Sequence, residues 1–277
     1  MKKWIPLALL LAALIGGCTA PDAEPENSET PAPETPAAEA VLPSPEQPSP
    51  TPEATPSETP SPEPEPYDFT APVPERDAVE AEWFADAVFI GDSRTDGLRL
   101  YSGIENVDFL CYKGLTVFEV MNDKKVIQSG EEKVGVLQAL ALKQYAKVYI
   151  SLGVNELGYN HDQGFLDTYS AMVDKVRELQ PDADVYLQKL IPVNPQKCSE
   201  TKQASYVTNE QIAVYNEIIE SVAAEKQVYL LDVGEAMVDE NGELPYDASA
   251  DGIHFKRDGY KLWYDYLKTH TVEEEAE

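Results

Sequence analysis

Five short apolar runs punctuate the second part of the chain, at residues 87–90, 107–111, 148–152, 185–191 and 228–232. Each is rich in β-branched, aromatic or Leu residues and has breakers or polar residues beside it, which predicts strands buried on both faces. Between them the spacing of apolar residues turns helical. The segments VLQALALKQYA (136–146), FLDTYSAMVDKVRELQ (165–180) and NEQIAVYNEIIESVAAEK (209–226, with Asn209 as its cap) read as amphipathic helices, and a last helix is expected over 257–268. Residues 122–133 show neither period and stay unassigned. Strands alternating with helices imply a parallel sheet covered on both sides, hence a three-layer α/β/α sandwich with a five-stranded parallel sheet.

In such sheets the ligand site lies beyond the carboxyl ends of the strands. That rule draws attention to Ser93 in GDSR after the first run, Gly114 in CYKGLT after the second and Asn155 in GVNELG after the third. Asp251 and His254 in DGIH follow the fifth, beyond a longer loop. Taken singly, each has an ordinary structural explanation; Asp92 or Ser93 could simply cap a helix. A serine at the end of a buried strand is also a common place for a nucleophile.

The amino-terminal third has a different character. Lys2 and Lys3 precede a short apolar run, residues 4–15, which is too short to span a bilayer well and reads as a signal peptide over residues 1–17. It runs into LIGGC, which resembles the lipobox of bacterial lipoproteins. The resemblance implies that Cys18 is lipidated and anchors the chain to the outer face of the cytoplasmic membrane. Residues 21–66 are dominated by Pro, Glu, Ser, Thr and Ala, without aromatic residues, and no Lys or Arg occurs between Lys3 and Arg76. Such a segment cannot bury enough apolar surface to order itself. Extended in a polyproline-like form, it would reach on the order of 140 Å. The expected organisation is therefore signal (1–17), lipidated cysteine and linker (18–66), and one α/β domain (67–277).

Charge narrows the partners. The chain carries a net charge of −29, with 50 acidic and 21 basic residues. The linker holds 11 of those acids and the signal two of the bases, so the remainder keeps 39 against 19, a balance of −20. That surface repels nucleic acid and anionic headgroups, leaving the lipid anchor as the expected membrane contact. Of the three cysteines, Cys111 and Cys198 remain after Cys18, and Cys111 at the end of an apolar run reads as a buried thiol. No CxxC or His/Cys cluster suggests a metal site.

The four motif blocks, in this order and on these elements, resemble the SGNH hydrolases, also called the GDSL esterase family. The resemblance spans about residues 88–266 and implies a flavodoxin-like fold and a serine esterase needing no metal or organic cofactor. It implies Ser93 as nucleophile, His254 as general base and Asp251 as the partner of the histidine, in a Ser-Asp-His order known for such triads. The backbone N–H groups of Ser93 and Gly114 and the side-chain amide of Asn155 would form the oxyanion hole. Arg94 and Glu156 depart from the residues usual beside the serine and the asparagine. They are expected to pair with charged neighbours, Arg94 with Glu156 or Asp92, or to contact substrate.

Asp247 is a rival partner for His254, with poorer spacing. His161 is expected to be solvated and His270 incidental. Lys197, Lys202 and Tyr206 lie on the loop after the fourth strand, where pockets are often shaped. Tyr101, Tyr112, Tyr159 and Tyr246 are candidates for stacking on sugar rings. The expected function is a surface-tethered esterase that removes small acyl groups, acetyl first, from wall or extracellular carbohydrate. Acyl transfer, alanyl esterase, thioesterase or lysophospholipase activity would use the same residues. A non-catalytic carbohydrate-binding protein would have no need of all five. Neither the oligomeric state nor the true ester is legible.

Overall fold

In a computed structural model, residues 67–272 are described, so the expected signal, Cys18 and the linker to residue 66 lie outside them. Seven strands follow in order: β1 (Ala87–Gly91), β2 (Asp108–Cys111), β3 (Ile127–Ser129), β4 (Glu132–Val134), β5 (Lys147–Ser151), β6 (Asp184–Gln188) and β7 (Tyr229–Leu231). The helices are α1 (Ser93–Tyr101), α2 (Val117–Met121), α3 (Val136–Leu140), α4 (Asp162–Leu179), α5 (Pro195–Glu200), α6 (Asn209–Lys226) and α7 (Arg257–Thr269). Five strands form a parallel sheet in the order β2-β1-β5-β6-β7. The three-layer α/β/α sandwich expected from the sequence is the observed fold.

The central strands β1 and β5 are buried on both faces because their residues alternate between two cores. Val88, Ile90, Val148, Ile150, Val185 and Leu187 pack with Phe165, Met172, Ile212 and Ile219 of α4 and α6. Phe89, Tyr149, Tyr186 and Leu231 pack with Leu98 of α1 and with Trp263 and Leu267 of α7. On this second face the rings of Phe109, Phe89, Tyr149, Tyr186 and Tyr229 form a continuous cross-strand ladder. Successive centroids are 5.2, 4.7, 4.6 and 5.1 Å apart. Each neighbouring pair is also a register pair, so the ladder fixes all five strands against slippage.

The differences from the sequence expectation are local. The fourth strand stops at Gln188 rather than 191, because residues 189–194 turn away to carry Asn194, the cap of α5. The helix expected over 136–146 ends at Leu140, and Leu142, which continues its apolar pattern, is exposed. Thr208 caps α6, its hydroxyl accepting from Gln211 N–H, while the Asn209 side chain bonds both the N–H and the carbonyl of Val193. The unassigned stretch contains β3 and most of β4, an antiparallel hairpin turned through Gly130. Strands this short offer too few residues to display a period.

Candidate active site

The site begins with a close approach. β1 ends at Gly91, where a Cβ would stand 1.9 Å from Thr95 Oγ1 and 2.7 Å from the Ser151 carbonyl, so only glycine fits. Asp92 then caps α1, its Oδ1 accepting from Arg94 N–H at 2.8 Å. Ser93 is thereby the first residue of α1, at the end where unpaired N–H groups gather and negative charge is favoured. The capping explanation and the nucleophile explanation of this stretch are compatible: Asp92 takes the first and Ser93 is free for the second.

Beyond the sheet edge, Ser93 Oγ lies 2.8 Å from His254 Nε2, and His254 Nδ1 lies 2.8 Å from Asp251 Oδ2. Asp251 Oδ1 accepts the backbone N–H groups of Ile253 and His254 at 2.9 and 2.8 Å. Burial alone would raise the Asp251 carboxyl, but these hydrogen bonds and the His254 ring outweigh it and hold it below its ordinary value. A carboxylate at Nδ1 fixes the ring so that Nε2 faces the serine as an acceptor. Asp247 lies exposed on the turn Tyr246–Ala248, and the histidine nitrogen goes to Asp251.

The expected oxyanion residues gather on the same edge. Gly114 is exposed with φ of +75°, and the space where its Cβ would stand is open. Asn155 lies on the single turn Val154–Glu156 after β5. Its Nδ2 donates to Asp92 Oδ2 and to the Leu115 carbonyl, both at 3.1 Å. The amide is thus held between the serine turn and the Gly114 loop, and must share an N–H to bind an oxyanion.

Arg94 and Glu156 are placed differently from expectation. Arg94 is 3% exposed, and its guanidinium bonds backbone carbonyls instead of Glu156 or Asp92: Nε donates to Ile253 at 3.1 Å and Nη1 to Ile191 at 2.8 Å. It stacks on Phe255 at 5.1 Å. It therefore ties the residue after the serine to the residue before the histidine. Glu156 is 2% exposed, with Oε1 accepting Val117 N–H and Oε2 buried without a partner. Burial pushes it up to about 8, aided by the nearby Asp92, and burial likewise raises Asp92 to about 6. Neither Arg94 nor Glu156 reaches solvent where substrate would bind, whereas Tyr112 does.

The other candidates are sorted as plainly. His161 caps α4, its Nδ1 accepting from Gly164 N–H. His270, expected to be incidental, is buried and stacked on Tyr266, a packing role. Lys197 Nζ bonds the carbonyls of Tyr246 and Ser249, bracing the loop that leads to His254. Lys202 sits exposed at a positive φ, and Tyr206 rests on Gly158. Cys111 and Cys198 are unpaired; burial pushes the Cys111 thiol up to about 12 and raises that of Cys198. The grips of Asp92 on Asn155 and of Arg94 on Ile253 are contacts between distant segments. Only the unusual Arg94 beside the serine marked either of them.

A parallel α/β sheet with serine, histidine and aspartate chained at its carboxyl edge is an arrangement found among α/β ester hydrolases. Residues 89–262, more than half of the chain, match the GDSL-like Lipase/Acylhydrolase family. The chain belongs to that family, a class of carboxylic ester hydrolases. It is 31% identical over 72 residues to an isoamyl acetate-hydrolyzing esterase of Saccharomyces cerevisiae. That match takes in 26% of this chain and spans only 30% of the yeast protein. Among solved structures it resembles one described as a candidate platelet activating factor from Streptococcus pneumonia. The TM-score is 0.53 at 23% identity, over 66% of this chain and 82% of that one, a likeness of fold.

Proposed function

We propose that this protein is a serine esterase that removes small acyl groups, acetyl first among them, from carbohydrate at the cell surface. The observation that carries the reading is the unbroken chain from Ser93 Oγ through His254 to Asp251, with both links at 2.8 Å. Ser93 Oγ attacks the ester carbonyl while His254 Nε2 takes its proton, and Asp251 stabilises the imidazolium. The oxyanion forms at the amino end of α1, within the donors Ser93 N–H, Gly114 N–H and the Asn155 amide. The imidazolium returns its proton to the leaving alcohol. Water then repeats the sequence on the acyl-serine, releasing the acid and restoring Ser93.

An acetyl group as the acyl part accords with the acetate ester named for the yeast relative. Carbohydrate is favoured by the Cys18 anchor and the long linker, which would lift the domain off the bilayer and away from lipid esters. The reading is tested with residues 67–277 on a small chromogenic acetyl ester. Ser93→Ala should lower kcat by about 10³-fold or more with an unchanged melting temperature. Equal turnover by wild type and variant, or none by wild type, would sink it.

A further inference from the structure

We propose that Tyr112, Tyr159 and Tyr206 form an aromatic rim beside Ser93 on which the pyranose rings of a neutral glycan stack. This rests on the esterase reading and deepens it by naming what holds the sugar.

The structure sorts the exposed tyrosines. Tyr101, Tyr112, Tyr159, Tyr206 and Tyr246 are the exposed ones among the described residues. Tyr101 is the last residue of α1, about 12 Å along the helix from Ser93, and its ring leans on Tyr260 and Arg257. Tyr246 is spoken for: its hydroxyl donates to Glu200 at 2.6 Å and Lys197 Nζ stands 4.0 Å from its ring centre. The remaining three are 39%, 42% and 50% exposed, with Lys124 Nζ 5.4 Å from the ring centre of Tyr112. Among the described residues, the hydroxyls of all three are without the bond to a side chain that ties down Tyr246.

Those three share an address. Tyr112 lies two residues before Gly114, on the turn whose Leu115 carbonyl takes the Asn155 amide. Tyr159 lies four residues after Asn155, its N–H on the Glu156 carbonyl and its ring 4.5 Å from Phe118. Tyr206 reaches the same turn from the loop after α5, its ring so close to Gly158 that a Cβ there would meet it at 2.8 Å. Each ring is therefore attached to, or packed on, one of the two loops that carry the oxyanion donors. A tyrosine offers an apolar face and a polar tip, which suits the apolar face and hydroxyl edge of a sugar ring. The balance of −20 outside the signal and linker selects against polyanionic glycans and leaves neutral or cationic ones.

The test compares chromogenic acetate with a chemically acetylated cello-oligosaccharide. Tyr112→Ala, Tyr159→Ala and Tyr206→Ala should each raise KM for the oligosaccharide about three- to tenfold. Any loss of kcat/KM for the small ester should be at least about threefold smaller than the loss for the oligosaccharide, with the Phe replacements close to wild type and Tyr101→Ala neutral on both. Unchanged oligosaccharide KM, or parallel losses on both esters, would overturn the rim. Calorimetric binding of the same oligosaccharide to Ser93→Ala, with and without the three tyrosines, reads the rim without turnover. Weaker binding on their removal supports it, and equal or absent binding overturns it. An esterase reading that fails shows instead as wild type turning over neither ester.

Discussion

Glu156 stands immediately after an oxyanion candidate yet takes no part in the chemistry proposed, and its environment makes it a stability switch. Burial holds its carboxyl at about 8, so the folded protein keeps the proton at neutral pH while the unfolded chain, with an ordinary value of 4.5, releases it. The folded state therefore binds more protons between about pH 4.5 and 8, and stability must fall as pH rises through that window. Asp92, raised to about 6, adds the same sign from its ordinary 3.8 upward. Asp251, held low, acts the other way and protects only above its unfolded value. Glu156→Gln mimics the protonated acid, retains an acceptor for Val117 N–H and removes its share of the slope. The melting temperature of the variant relative to wild type should rise steadily from pH 5 to pH 8, by several degrees. Parallel melting curves across that range would show that Glu156 is ionised in the fold. The sequence marked Glu156 as unusual, but its burial was hidden, because it depends on α2 docking over the Val154–Glu156 turn.

Among the elements, legibility followed burial. β1 and β5 announced themselves because strands covered on both faces are apolar at nearly every position, Lys147 and Ser151 at the ends of β5 being the buried exceptions. The serine, glycine, asparagine and histidine blocks were legible for a related reason, each falling where a strand or its following loop leaves the sheet. The β3–β4 hairpin was illegible because its three-residue strands are too short to show a period, and the excursion through α5 because its form is set by contacts with distant segments. α5 matters most for the site. Thr201 Oγ1 donates to the Asp251 carbonyl at 2.7 Å, Asn194 N–H to the Gly252 carbonyl at 2.9 Å, and Cys198 packs on Gly252. With Arg94 pulling on Ile253 from the other side, the histidine loop is clamped between α1 and α5. Gly252 is where the clamp is tightest: its φ is +97°, and a Cβ there would lie 2.4 Å from Cys198 Sγ and 2.6 Å from Cys198 N. Gly252→Ala should therefore destabilise the fold by about 2–4 kcal/mol and lower kcat on a small acetyl ester at least about tenfold. Adding Cys198→Ala should recover only part of either loss, because the backbone nitrogen of residue 198 still blocks the methyl group. Full recovery would mean that side-chain crowding alone, and not the backbone of α5, positions His254.

For the molecule as a whole, the residues proposed for the chemistry, Ser93, Asp251 and His254, all lie within residues 67–272, so the role we propose for the amino-terminal segment is to set where the enzyme is rather than what it does. A lipid on Cys18 and 46 residues of proline- and glutamate-rich chain from residue 21 to residue 66 would confine the domain to a shell on the order of 140 Å deep over the membrane. Within that shell an immobile polymer substrate meets a high local enzyme concentration, whereas a freely diffusing ester gains nothing. Cys18→Ser should accordingly shift the protein from the membrane fraction to the soluble exported fraction and leave kcat and KM on a chromogenic acetate unchanged. It should also slow deacetylation of the cell's own wall polymer, read as ester acetate retained on isolated walls. Identical fractionation of wild type and variant would remove the anchor from the argument. A shifted fractionation with unchanged wall acetate would place the substrate elsewhere while leaving the Ser93 chemistry intact. The two measurements separate address from activity, the roles proposed here for residues 18–66 and for the α/β domain.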